Sequence, residues 1–82
     1  MTKVFIVEDD AAIVKQLASA LNAYTVVSVQ NFRSVRQEIE AETPDLILMD
    51  ITLPYFNGFY WTTEIRKHAT TPILFSVRQM MR

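Results

Sequence analysis

Asp45-Leu46-Ile47-Leu48-Met49-Asp50-Ile51 is the stretch on which the reading of the fold turns. A short unbroken run of large apolar side chains, with Pro44 before it and Pro54 after it, predicts a β-strand buried on both faces. Such a strand has no use for Asp50, because burying an unpaired carboxylate costs several kcal/mol. The acid is therefore expected just beyond the packed part of the strand, where the following loop meets solvent. Taken alone, Asp50 reads equally as the cap of a strand-end loop or as a functional carboxylate.

The flanking sequence repeats one pattern. Lys3 to Val7 is a β-branched and aromatic run, a second buried strand, and it stops at Glu8-Asp9-Asp10. Ile13, Leu17 and Leu21 recur at four-residue spacing, and Val14 and Ala18 widen the stripe. This predicts a helix from about Ala11 to Asn22 with one face turned inward and Asp10 as its N-cap. Tyr24 to Val29 is again strand-like, and Gln30-Asn31 break it. Phe32, Val35 and Ile39 predict a second amphipathic helix, capped by Asn31 and running to about Glu42, with Arg33, Arg36, Gln37, Glu38 and Glu40 on its outer face.

Pro44 ends that helix, and the Asp50 strand follows. The loop from Thr52 to Gly58 holds the chain's only glycine, so a turn with positive φ is expected at or near Asn57-Gly58. A third helix is predicted from about Phe59 to Lys67. Thr71-Pro72 then resets the chain, and Ile73-Leu74-Phe75 starts a fourth strand. The βαβαβαβ order, with right-handed crossovers, predicts an α/β fold with a parallel sheet.

Composition narrows the function classes. At 82 residues, 50% hydrophobic and 21% charged, the chain is one small globular domain rather than a disordered segment. A formal net charge of -1 gives no general attraction to nucleic acid or anionic lipid. The absence of cysteine excludes disulfides and thiolate metal sites. The first apolar run is too short for a signal-peptide core or a membrane span, so a cytoplasmic protein is expected. Glu8-Asp9-Asp10-Ala11-Ala12 stands where a Gly-rich phosphate loop would follow the first strand, which argues against a dinucleotide site.

In an open parallel sheet, ligands bind beyond the carboxyl ends of the strands, where strand order reverses. If the first and third strands are neighbours, with the second outside the first, Glu8, Asp9 and Asp10 face Asp50 across one crevice. Two carboxylates about 5 Å apart repel by roughly 3 kcal/mol at an effective dielectric near 20. A shared proton, a raised pKa or a bound cation would offset this, and an all-oxygen donor set suits Mg²⁺ or Mn²⁺. Asp10 is most simply a helix cap. Glu8 and Asp9 are adjacent and cannot both cap, so Asp9 reads as a metal ligand once Asp50 stands opposite.

Val7-Glu8-Asp9-Asp10 after an apolar strand, Leu48-Met49-Asp50 followed by Leu53-Pro54 and Asn57-Gly58, and a helix containing Ile65-Arg66 together resemble the receiver domain of bacterial two-component response regulators. The resemblance covers residues 3 to about 76. It implies a flavodoxin-like, doubly wound sheet whose family order 2-1-3-4-5 becomes 2-1-3-4 here, so that residues 1–82 form a partial receiver domain from the first strand to the fourth. It also implies that Asp50 is the phosphoacceptor for a sensor histidine kinase. Asp9 and Asp50 would ligate Mg²⁺ or Mn²⁺, with Glu8 acting through water and the Thr52 backbone carbonyl completing the protein ligands. The segments Asn57 to Trp61 and Pro72 to Phe75 resemble regulators of the winged-helix class, particularly those of cell-envelope or antimicrobial-peptide stress. That likeness would place DNA binding in an effector domain outside these residues.

The sequence departs from the family pattern in two places. The family's Thr or Ser at the end of strand four falls five positions beyond the proline matched by Pro72, which is Val77 here. Ser76 stands one residue early, and a one-residue shift turns a strand side chain to the opposite face. Ser76 is kept as the candidate phosphoryl contact. No lysine follows Lys67, and the family's helix four, strand five with its lysine, and helix five have no counterpart in these residues.

Two alternatives follow from this. The chain could be a receiver remnant that is not phosphorylated and serves as an interaction module, forming a homo-oligomer through an exposed fourth-strand edge. A haloacid-dehalogenase-type phosphatase also uses an aspartate nucleophile, but it needs a second aspartate two residues on, where Thr52 stands. A phosphoacceptor domain rather than an enzyme is therefore expected. His68 is read as a solvent residue near a helix C-terminus, and Phe56, Phe59, Tyr60 and Trp61 as packing rather than a nucleic-acid platform.

Overall fold

A computed structural model describes residues 2–75. Four parallel strands, β1 (Lys3–Val7), β2 (Thr25–Ser28), β3 (Leu46–Met49) and β4 (Ile73–Phe75), alternate with three helices, α1 (Ala11–Ala20), α2 (Val35–Glu42) and α3 (Gly58–Arg66). The sheet order is β2-β1-β3-β4, the partial doubly wound arrangement expected from the sequence. Phe5 lies between Val27 and Ile47, Ile47 pairs with Ile73, and Val7 pairs with Met49.

Side chains alternate across each strand, so the sheet has two distinct faces. Phe5, Val7, Ile47 and Met49 point to one face and join Val35, Ile39, Trp61 and Ile65 in a single buried cluster supplied by α2 and α3. Right-handed crossovers explain the assignment. Steps from β2 to β3 and from β3 to β4 run in one direction and put α2 and α3 on the same side, whereas the step from β1 to β2 runs the other way and puts α1 opposite.

The second face is covered unevenly. Val4 and Ile6 are buried there, but α1 contributes only half-buried side chains, Ile13, Val14, Leu17 and Ala18. Leu46 and Leu48 are half-buried, and Leu74 is 55% exposed. The β3 strand is thus buried on one face and half-open on the other, which corrects the two-sided burial expected from its apolar run. One helix on this face cannot span four strands spaced nearly 5 Å apart.

Helix boundaries differ from the sequence reading where side chains bond to the local backbone. The α2 helix begins at Val35 rather than Phe32, because Asn31 Oδ1 accepts from Arg33 N at 2.9 Å and Ser34 N donates to Asn31 O at 3.0 Å, closing a turn first. Glu38, expected on the outer face, reaches back to accept from Gln30 N at 2.8 Å and Asn31 N at 2.7 Å. It anchors the loop between β2 and α2 to the first turn of the helix.

The positive φ expected at or near Asn57-Gly58 falls two residues before Asn57, in the same loop. Tyr55 takes it, with φ 71°, and Gly58 is the first residue of α3. Its role is close approach. A Cβ on Gly58 would collide with the backbone carbonyl oxygen of Asp50 and come within 3.0 Å of Ile51 Cα and Met49 Cγ. Asn57 is the N-cap, its Oδ1 accepting from Tyr60 N at 2.9 Å.

Candidate functional site

The β1–β3 pairing places the acids. Val7 and Met49 are register partners, so the next residue on each strand, Glu8 and Asp50, leaves the sheet beside the other, and Asp50 N donates to Val7 O at 2.9 Å. Glu8, Asp9 and Asp50 each offer a carboxylate oxygen, and these atoms lie within 4.8 Å of one another. Asp50 is 1% exposed and Glu8 4%, whereas Asp9 is exposed. The crevice is therefore an acid pair in the protein interior with a third acid at its mouth.

The burial of Asp50 corrects the expectation that it sits where the loop meets solvent. The reason is tertiary. Gly58 lets the start of α3 come directly against the Asp50 backbone carbonyl, and Gly58 N donates to Ile51 O at 2.8 Å, which closes the loop after β3 on itself. Asp10 is the N-cap of α1, its Oδ1 accepting from Ala12 N at 2.9 Å and Ile13 N at 3.4 Å. Its own backbone N–H donates to Glu8 Oε2 at 3.0 Å, so the chain just beyond Glu8 orients that carboxylate.

Carboxylates this close repel by roughly 3 kcal/mol per pair at an effective dielectric near 20. The donor set suits a hard divalent cation. Octahedral ligands at about 2.1 Å stand about 3 Å apart when adjacent, so three oxygens within 4.8 Å of one another would close by up to about 2 Å or take a bridging water. Thr52 lies two residues beyond Asp50 in the loop at the surface. Ser76 and Val77, between which the sequence left the phosphoryl contact, lie outside the described residues.

Two residues on the loops beyond the carboxyl ends of β2 and β3 carried no functional signal in the sequence, whose pattern placed Arg33 on the outer face of the second helix rather than in the loop before it. Arg33, from the loop after β2, stands over the ring of Tyr55, from the loop after β3, with Cζ 4.1 Å from the ring centroid. Aromatic rings continue from there. Phe56 stacks on Tyr60 at 4.4 Å and meets Trp61 edge-on at 5.6 Å. His68 is remote from the acids, lining a cleft of about 260 Å³ with Arg36, Ile39, Thr43, Ile65 and Thr71 by the amino ends of β3 and β4.

A parallel sheet of this order with paired acids at the carboxyl ends of β1 and β3 is the arrangement of a receiver domain, and the response regulator receiver domain family matches residues 4–81. The chain belongs to that family and is receiver-domain sequence of a two-component response regulator. It is 39% identical over 77 residues to the sensory transduction protein BceR of Halalkalibacterium halodurans, covering 92% of this chain and 33% of that protein. Over 78 residues it is 42% identical to the transcriptional regulatory protein YxdJ of Bacillus subtilis, covering 92% of this chain and 34% of that protein. Among solved structures, the N-terminal domain of the nisin resistance regulator NsrR, a lantibiotic response regulator, superposes with a TM-score of 0.85 at 64% identity, over 92% of this chain and 65% of that one. The chain spans about a third of the length of the curated relatives it matches. Among the described residues no helix is long and apolar enough to cross a membrane.

Proposed function

We propose that residues 1–82 act as the β1-to-β4 part of a receiver in which Asp50 accepts a phosphoryl group from a sensor histidine kinase. The observation that carries this reading is the convergence of Glu8, Asp9 and Asp50 within 4.8 Å, with Asp50 buried at the end of a central strand. An Asp50 carboxylate oxygen attacks phosphorus in line, the donor's P–N bond breaks, and the leaving imidazole nitrogen keeps the electron pair and takes up a proton. Asp9 and Asp50 would hold Mg²⁺, or Mn²⁺ in its place, with Glu8 acting through water and the Thr52 carbonyl as a further ligand. When bound, the cation neutralises charge on the phosphoryl oxygens. The chain's own contribution is to fix the backbone that carries the nucleophile, through the Asp50 N–H bond to Val7 O and the close approach of Gly58 to the Asp50 carbonyl.

In a longer protein, a phosphorylated receiver would control transcription through an effector domain, a reading supported by the similarity to YxdJ, a transcriptional regulatory protein. All of this is cytoplasmic chemistry. The test is intact mass after incubation with a small acyl phosphate and Mg²⁺, with Asp50→Ala alongside. An adduct of one phosphoryl group on the native chain alone is the expected result. No adduct on this chain, while a longer form gains one, leaves only the interaction-module reading. The alternative of self-association through the β4 edge is supported by the position of β4 as an outer strand among the described residues. A concentration-independent monomer in sedimentation would rule that association out.

A further inference from the structure

Tyr55 combines two unusual features at one position. Its backbone is left-handed, φ 71°, a region that bulky residues avoid, and its ring face is covered by the Arg33 guanidinium at 4.1 Å although 64% of the residue is exposed. Arg33 is itself held. Its backbone N–H donates to Asn31 Oδ1 at 2.9 Å, and the backbone N–H groups of Gln30 and Asn31 donate to the Glu38 carboxylate at 2.8 and 2.7 Å. On the other side, the loop carrying Tyr55 closes on itself through Phe56 N to Pro54 O at 2.9 Å and Gly58 N to Ile51 O at 2.8 Å.

The two loops leave the carboxyl ends of β2 and β3, the strands on either side of β1. The Arg33–Tyr55 contact therefore joins both flanks of the acid crevice through the one loop segment that holds Thr52. We propose that Arg33 and Tyr55 are positioning residues for cation binding: their contact holds the 51–57 loop, against the strain at Tyr55, in the conformation that presents the Thr52 carbonyl to the cation at Glu8, Asp9 and Asp50. The proposal rests on the cation reading given under the proposed function. Neither side chain touches the cation. Each acts by keeping the loop from relaxing away from the acids.

The test is Mg²⁺ and Mn²⁺ titration of the 82-residue chain, read by calorimetry and by the fluorescence of Trp61, which lies 5.6 Å from Phe56 of the same loop. Arg33→Ala and Tyr55→Ala are each expected to raise the Kd about two- to five-fold, the equilibrium equivalent of one exposed cation–π contact. Tyr55→Phe keeps the ring and restores native affinity. Melting in EDTA supplies the discriminating readout. A melting temperature lowered by Arg33→Ala with an unchanged Kd assigns the contact to stability alone and overturns the proposal, as does a Tyr55→Phe variant that binds as weakly as Tyr55→Ala. Asp9→Asn separates the underlying reading. If the native chain does not titrate Mg²⁺, or Asp9→Asn binds it equally well, the cation site itself fails. If binding depends on Asp9 but not on Arg33, only the positioning role of the Arg33–Tyr55 contact fails.

Discussion

Replacing Asp50 by Asn should stabilise the metal-free chain. Asp50 is 1% exposed, and its carboxylate oxygen lies within 4.8 Å of those of Glu8 and Asp9. At an effective dielectric near 20, each such pair costs roughly 3 kcal/mol. Asp9 is exposed, so water and salt reduce its share to about 1 kcal/mol. The Glu8 pair, both members buried, keeps most of its cost. Asn retains the shape and one acceptor oxygen of Asp but loses charge-assisted hydrogen bonding worth about 2 kcal/mol. The net expected gain is about 2 kcal/mol, or roughly 10 °C in Tm at about 4–8 °C per kcal/mol for a domain of this size. Thermal and urea melts by circular dichroism in EDTA measure it. Adding Mg²⁺ should then stabilise the native chain by about 2.7 kcal/mol at a hundred times its Kd and Asp50→Asn by much less, closing the gap. An Asp50→Asn chain that melts below native in EDTA, or that gains as much as native from Mg²⁺, would refute the repulsion argument.

Gly58→Ala separates close approach from backbone freedom. Helix propensity alone favours Ala by about 1 kcal/mol, but the collision with the Asp50 carbonyl should turn this into a net loss of about 1–3 kcal/mol in a denaturant melt. Glu38→Ala removes the acceptor of two backbone N–H groups and should cost about 1–3 kcal/mol, with faster hydrogen exchange at Gln30 and Asn31 than elsewhere in the loop. Glu64 should titrate below the ordinary glutamate value, because Lys67 Nζ donates to its carboxylate at 2.9 Å, an effect that partial desolvation opposes and the charges of Lys67, Arg36 and His68 reinforce. With the folded pKa depressed, its small contribution to stability is present above the unfolded value and is lost as pH falls through the folded one. Carboxyl-detected NMR should show the Glu64 midpoint move up in Lys67→Ala.

Most of the fold is legible in the residue pattern because its signals are local. Val4-Phe5-Ile6-Val7 and Leu46-Ile47-Leu48-Met49 read as strands from β-propensity and unbroken apolarity, and Asp10 caps α1 through its own side chain and the next residues' N–H groups. Pro44 and Pro72 mark boundaries by what their rings forbid. Where the structure departs from the residue pattern, a competing local bond or a distant neighbour decides the outcome. Asn31 closes a turn before α2 can start, Glu38 folds back onto the loop, and the left-handed residue is Tyr55 rather than Gly58.

The sequence by itself determined the βα alternation, the acids that end β1 and β3, and the chemical class of any ion they would hold, since these follow from residue type and short-range spacing. Only the tertiary structure decided that β1 and β3 are neighbours in register, so that Glu8, Asp9 and Asp50 converge, that Asp50 is buried, and that Gly58 seats the start of α3 against the Asp50 backbone carbonyl. The Arg33–Tyr55 contact belongs to the same category, joining residues 22 positions apart in the sequence (55 − 33). Periodicity reports which face of an element is apolar, but not which elements meet across the sheet. That is fixed by crossover handedness and packing, which bring together side chains with no local signal of each other.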